Sequence, residues 1–343
     1  MAIISLFDLP EASTLSGAEI FPVNQDGTTK RTAISSIGGG IGSETNGEQA
    51  SVLAGSNNKA LSSFGVVVQG CNNYLKGGSY NTIINGKNNC NISNYYSTII
   101  GGCNNKILSA DTQFSTILNG VGNCVCAGRI SLMGGGTNTI ITPGNDGNVI
   151  LNGFSSSMFL TNNPTSNNII GNGLANYISD GSQNSIINGN LNFHTKSSYS
   201  FIGGGTLNFV LTSAKSSILG GALNRICQAA GNTSQCSTIL GGYNNVLSGA
   251  PHSIIGAGSC NQILAGLNSG ILGGQNNILS GSDSFIIGSN ICNANKNCTT
   301  FVNNLSAQCS LHAGNGITCT FTLSSTSGNL SIVITDGIIT GIS

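Results

Sequence analysis

Tryptophan is absent from these 343 residues, and charge is scarce: eleven basic and eleven acidic side chains. A soluble domain ordinarily carries about one charged residue in four. The nine bases of residues 49–305 are spread along the chain, without the clustering that neutralises nucleic-acid phosphates, so nucleic acid is not expected as a partner. Three isolated histidines, His194, His252 and His312, support no Ser/His/Asp set. The same region has four acids, Asp111, Asp146, Asp180 and Asp283. That is too sparse a set for the paired carboxylates of sugar cleavage. No catalytic residue, cofactor or metal site is therefore assigned. Cys124-Val125-Cys126 lacks the second cysteine pair or nearby histidine of a zinc site. The Gly-Gly turns lead into Asn, not into the Asp of calcium-binding nonapeptides. No apolar run reaches the length of a membrane span. Met1–Asp8 lacks the basic start and long apolar stretch of a signal peptide, so neither membrane insertion nor general export is expected.

What is abundant is Gly (50 residues) and Asn (47 residues), and they recur around a regular apolar mark. Sixteen adjacent apolar pairs run from Val52-Leu53 and Val67-Val68 to Ile286-Ile287 and Phe301-Val302. Their mean spacing is about 16.6 residues, the scale of a repeat architecture. A representative unit reads Ser97-Thr98-Ile99-Ile100-Gly101-Gly102-Cys103-Asn104-Asn105-Lys106-Ile107. It holds a short β-favouring run, a Gly turn, an Asn cluster and a second aliphatic point. Gly and Asn tolerate the left-handed backbone of sharp corners. Two strands and two turns make one coil, so the fold expected is all-β: a parallel β-solenoid of about 16 coils. Stacked Asn side chains bonded from coil to coil are expected to line it.

The doubled apolar residue carries a further expectation. Neighbours on a strand point to opposite faces. If one member of each pair builds the core, the other lies outside. The pairs Ile83-Ile84, Ile99-Ile100, Ile186-Ile187, Ile254-Ile255 and Ile271-Leu272 mark an assembly stripe. A stripe of that length exceeds what monomers usually expose. It points to a homo-oligomer, an intertwined or side-by-side homotrimer. The alternative places both members inside, one of them under a turn.

Three regions follow from the pattern: an N-terminal module 1–48, the repeat 49–305 and a C-terminal meander 306–343. Ile20–Gln25 and Thr28–Ala33 read as a hairpin around Asp26-Gly27. Thr318–Leu323, Leu330–Thr335 and Ile338–Ile342 read as three β-runs. Among twelve cysteines, Cys227 with Cys236, Cys292 with Cys298, and Cys309 with Cys319 are disulfide candidates. Receptor contact is expected at the longer coils around 108–114, 142–148, 153–166 and 227–236 or at the C-terminal module, and Tyr95, Tyr96, Tyr199 and Tyr243, each near Asn, are candidates to stack on and hydrogen-bond a sugar.

The repeat unit resembles the head domains of trimeric autotransporter adhesins over residues 49–305. The stalk and membrane barrel of those proteins are not seen here. The ends are similar to modules of phage tail fibres and other virion proteins. The residues concerned are Asp8–Glu19, Phe21-Pro22-Val23 and Gly27–Lys30 at one end, and Gly316–Thr322 and Asp336–Ile342 at the other. That resemblance implies a virion appendage. Its N-terminal end would be attached to other virion proteins. Its distal end would meet a cell-surface glycan or protein receptor after release by host lysis. The alternatives are a tailspike depolymerase acting on surface polysaccharide and an extracellular self-assembling adhesin filament.

Overall fold

The computed structural model describes residues 42–303, except 109–112, 127–129, 143–146, 160–166, 230–233 and 293. Beyond that span it describes the backbone of five strands. Ile20–Gln25 pairs antiparallel with Thr28–Ala33. Cys319–Ser325, Gly328–Thr335 and Ile338–Ile342 form a three-stranded antiparallel sheet. The chain falls into two compact units, Met1–Phe301 and Val302–Ser343.

The first unit contains a parallel β-solenoid. One sheet has 16 strands and the other 15, with every strand pairing to its counterpart in the next coil. The strands are very short. Thr82–Ile83 pairs with Thr98–Ile99, and that with Thr116–Ile117. One coil shows how the sequence dictates the path. Thr82–Ile83 is β-branched and extended. Gly86 turns the chain with φ +106°, and Asn88 turns it again with φ +56°. Cys90–Tyr95 then forms the strand of the second sheet. Tyr96, at φ +54°, makes the last corner before Ser97 starts the next coil. A Cβ on Gly86 would run into the Gly102 carbonyl of the next coil, so this corner column accepts little besides glycine.

The core is one residue wide on each side. Ile83, Ile99 and Ile117 line one wall, and Leu75, Ile107 and Val125 the other, all with no exposed surface. Each such side chain contributes about 1.5–3 kcal/mol. Two buried polar ladders flank the apolar layer. In the first, Asn73, Asn89, Asn105 and Asn123 are stacked, and each Oδ1 accepts the backbone N–H of the next rung at 3.0–3.1 Å. Each Nδ2 donates to a carbonyl of its own coil and to a glycine carbonyl of the next, as Asn105 does at Gly101 and Gly120, both 3.0 Å. The expected Asn ladder is present, and it satisfies the corner carbonyls that a tight turn would otherwise bury unpaired. A second ladder of Asn and Ser repeats the device. Ser237 Oγ donates to the Ala250 carbonyl at 2.7 Å.

Candidate assembly face and aromatic corners

In the 16-stranded sheet, the residues immediately before and after each buried residue both point outward. The apolar pair therefore has one inward and one outward member, but the order is not constant. In the coils of Ile83, Ile99, Ile117, Ile186, Ile218 and Ile239 the first member is buried, and Ile84, Ile100, Leu118, Ile187, Leu219 and Leu240 are exposed. In the coils of Met133, Ile170, Ile202 and Ile255 the second member is buried, so Leu132, Ile169, Phe201 and Ile254 face out. Of the expected assembly stripe, Ile83, Ile99, Ile186, Ile255 and Ile271 belong to the core, while Ile84, Ile100, Ile187, Ile254 and Leu272 lie outside. The strand period of two requires this division.

The switch of order follows a rule. In the four coils where the only outward apolar group precedes the buried residue, the outward position after it is glycine: Leu132 goes with Gly134, Ile169 with Gly171, Phe201 with Gly203 and Ile254 with Gly256. Where the apolar group follows, the preceding position is mostly small: Thr82 with Ile84, Thr98 with Ile100, Ser185 with Ile187, Ser217 with Leu219. Val66, Val149 and Phe285 add a second apolar group in their coils. From Ser51 to Ile287, every coil presents at least one aliphatic or aromatic group, and neither outward column holds a charged residue. The second sheet differs. Its outward column carries Lys59, Lys106 and Arg225, and Lys59 Nζ sits 2.9 Å from Glu44. The hydrogen bond to that carboxylate, then its charge, raises the Lys59 pKa.

Aromatic rings line one corner. Phe64, Tyr80, Tyr96 and Phe114 are stacked, with centroids 4.7, 5.0 and 5.2 Å apart and planes within 7°. All four have φ between +52° and +60°. Non-glycine residues seldom take this conformation, at a cost of roughly 1–2 kcal/mol. Here each corner N–H bonds a carbonyl of the preceding coil, as Tyr96 N–H does at Ser79, 3.1 Å. Ring stacking, worth about 0.5–1.5 kcal/mol per pair, offsets the remainder. A sequence scan for aromatics at the coil spacing would have found this column. Phe193 and Phe209 form a similar stack on the second sheet at 5.1 Å.

This arrangement sorts the four candidate tyrosines. Both faces of Tyr96 are covered by Tyr80 and Phe114, so it cannot stack on a sugar. Tyr95 is exposed and bridges Gln113 of the next coil. Tyr199 is exposed at the same corner as Tyr96, between Gln183 and Lys215. Tyr243 is exposed at the opposite corner, where its column neighbours are Ala222 and Ser259. The structure does not bring the four together. Much of the longer coils lies outside the described residues.

The cysteines also depart from expectation. Cys124 and Cys126 are bonded to each other, flanking the buried Val125 of the second sheet. Cys227, Cys236, Cys292 and Cys298 are free thiols, so the expected 227–236 and 292–298 bridges are not formed. Cys227 is buried against Ser248, whereas Cys236 is exposed at a corner. Cys309 and the side chain of Cys319 lie outside the described residues. Burial raises the Cys90 thiol pKa, against the opposing pull of Lys106.

Two polar residues sit in the core column of the second sheet. His194, between Ile178 and Val210, is fully buried. Its Nε2 is 3.3 Å from the Ser185 carbonyl and its Nδ1 is 3.4 Å from Ser197 Oγ. Burial lowers its pKa to about 4, so the ring is neutral near pH 7. Asn91, between Leu75 and Ile107, keeps its Oδ1 unpaired. Among the described residues, no group of three or more His, Cys, Asp or Glu is placed to hold a metal ion. The acids Asp180 and Asp283 lie several coils apart, Asp283 bonded to Asn268 at 2.9 Å. No family model matches the chain, and no curated protein matches it either.

Proposed function

We propose that this chain is a structural fibre or spike component of a virion, built as a homotrimer and serving attachment to a host cell surface. The observation that carries the assembly is the uncharged apolar outer face of the 16-stranded sheet. Fifteen coils at several tens of Å² each expose on the order of 1,000 Å², more than the roughly 300–600 Å² of the largest patch on a typical monomer. That area is on the scale of the roughly 800 Å² per partner of a stable interface. Three copies about one axis would each bury the face. The terminal segments resembling virion modules support placement in a virion, joined to other virion proteins at the N-terminal end. Tyr243, with small column neighbours, is the tyrosine best placed to stack on a glycan. The experiment is the native mass in solution. Three times 34.7 kDa supports the assembly, and 34.7 kDa sinks it.

The alternatives are a depolymerase and a self-assembling adhesin filament. Sugar cleavage needs carboxylates about 5–10 Å apart, and the separation of Asp180 from Asp283 gives that reading no support. Release of reducing ends from host polysaccharide would establish it. Micrographs showing unlimited end-to-end growth would favour the filament.

A further inference from the structure

The rule that pairs glycine with a bulky neighbour says how copies meet, given the assembly proposed above. A face open to water gains nothing from keeping its bulk constant from coil to coil. Yet Phe201 accompanies Gly203, Ile254 accompanies Gly256, and Ile187 accompanies Ser185. Within each of these coils one outward column is large and the other small. At the level of Phe201 a shallow groove of about 550 Å³ opens over Gly203, Gly204, Gly205 and Gly220, beside Asn188 and Leu219. Head-to-tail cyclic packing sets one patch of a copy against a different patch of the next. If the preceding column of one copy faces the following column of its neighbour, large meets small in twelve of the fifteen coils when the two copies are parallel and level; only at Val66, Val149 and Phe285 do two large groups meet. Phe201 of one copy then meets the groove at Gly203 in the next. An antiparallel pair would place coils of unrelated pattern opposite each other. An axial slip of one coil would set Phe201 against Leu219 in one direction and against Ile187 in the other.

We infer that the partner on this face is a second copy of the chain, parallel and in register, and that the alternation of large and small outward residues sets the register. The test uses charge at chosen levels. Ile187→Lys and Ser185→Glu act on the same coil, and Leu219→Lys acts two coils further on, about 10 Å away. These positions are outward, so each monomer keeps its solenoid, checked by circular dichroism. Each variant alone should weaken assembly at least tenfold. Isotope-labelled Ser185→Glu chains are refolded with either lysine variant, and the oligomers are counted by native mass spectrometry. Mixing with Ile187→Lys should give heterotypic oligomers well above the statistical share, and mixing with Leu219→Lys should not. Equal yields from the two mixtures, with the unmodified chain still oligomeric, would overturn the register and leave the assembly standing. An unmodified chain of 34.7 kDa would remove both.

Discussion

Phe285 lays its ring over Gly270, its partner in the preceding coil: a Cβ on that glycine would stand 2.7 Å from Phe285 Cδ1 and Cε1. The missing side chain of one coil is filled by the large one of the next, so the outer apolar face stays level. Gly270→Val should push the ring off the sheet, cost about 1–3 kcal/mol as overpacking does, and lower the melting temperature. Phe285→Ala in the same chain should recover much of that loss. A double-mutant cycle with no coupling between the two sites would show that the ring and the glycine are independent.

His194 makes the solenoid acid-sensitive. Its folded pKa, about 4, lies below the ordinary value of 6.5, so below pH 6.5 the unfolded chain takes up a proton that the folded chain refuses. Its effect is absent above pH 6.5, grows as pH falls, and saturates below pH 4 at about 3 kcal/mol of lost stability. His194→Val, matching Val210 in the next coil, should flatten the slope of stability between pH 7 and pH 4.5. Urea unfolding at a series of pH values measures it, and identical slopes would refute the assignment.

Asn208 is one rung of the first ladder. It accepts from Asn224 N–H at 3.1 Å and donates to the Gly204 and Gly221 carbonyls at 2.9 and 3.0 Å. Asn208→Leu removes all three bonds of a fully buried side chain and should destabilise by about 2–4 kcal/mol. Asn208→Ser should cost less, because Ser156 already occupies this column and accepts the Asn176 N–H at 3.3 Å. Thermal melts of the two variants should rank in that order.

Asn91 should behave in the opposite sense. Its Nδ2 donates to the Ser97 carbonyl at 3.2 Å, but that carbonyl also accepts Thr82 N–H at 3.0 Å. Asn91→Leu therefore strands no partner, removes an unpaired buried oxygen and matches Leu75 below it. A gain of about 1–3 kcal/mol follows, read as a higher melting temperature. A lower one would mean that the Oδ1 has a partner, such as buried water.

The coil was legible in the sequence because its signals are local. A β-branched run, a glycine corner and an Asn cluster each act within a few residues, so counting apolar pairs located the strands of the 16-stranded sheet. The inward and outward split of each pair was legible too, since strand geometry alone requires it. Which member faces inward was not, because adjacent apolar residues look alike until the ladder sets the register. Thr98 against Thr82 and Ile99 against Ile83 decide it, and so do Ile169 against Ser185 and Ile170 against Ile186. The stack of Phe64, Tyr80, Tyr96 and Phe114 is likewise a product of coil stacking. Residues some sixteen positions apart become neighbours only when parallel strands lie about 4.8 Å from one another. Composition and spacing determined the repeating unit. Tertiary stacking decided which side chains meet along the axis, and with them which face of the solenoid is apolar, level and uncharged.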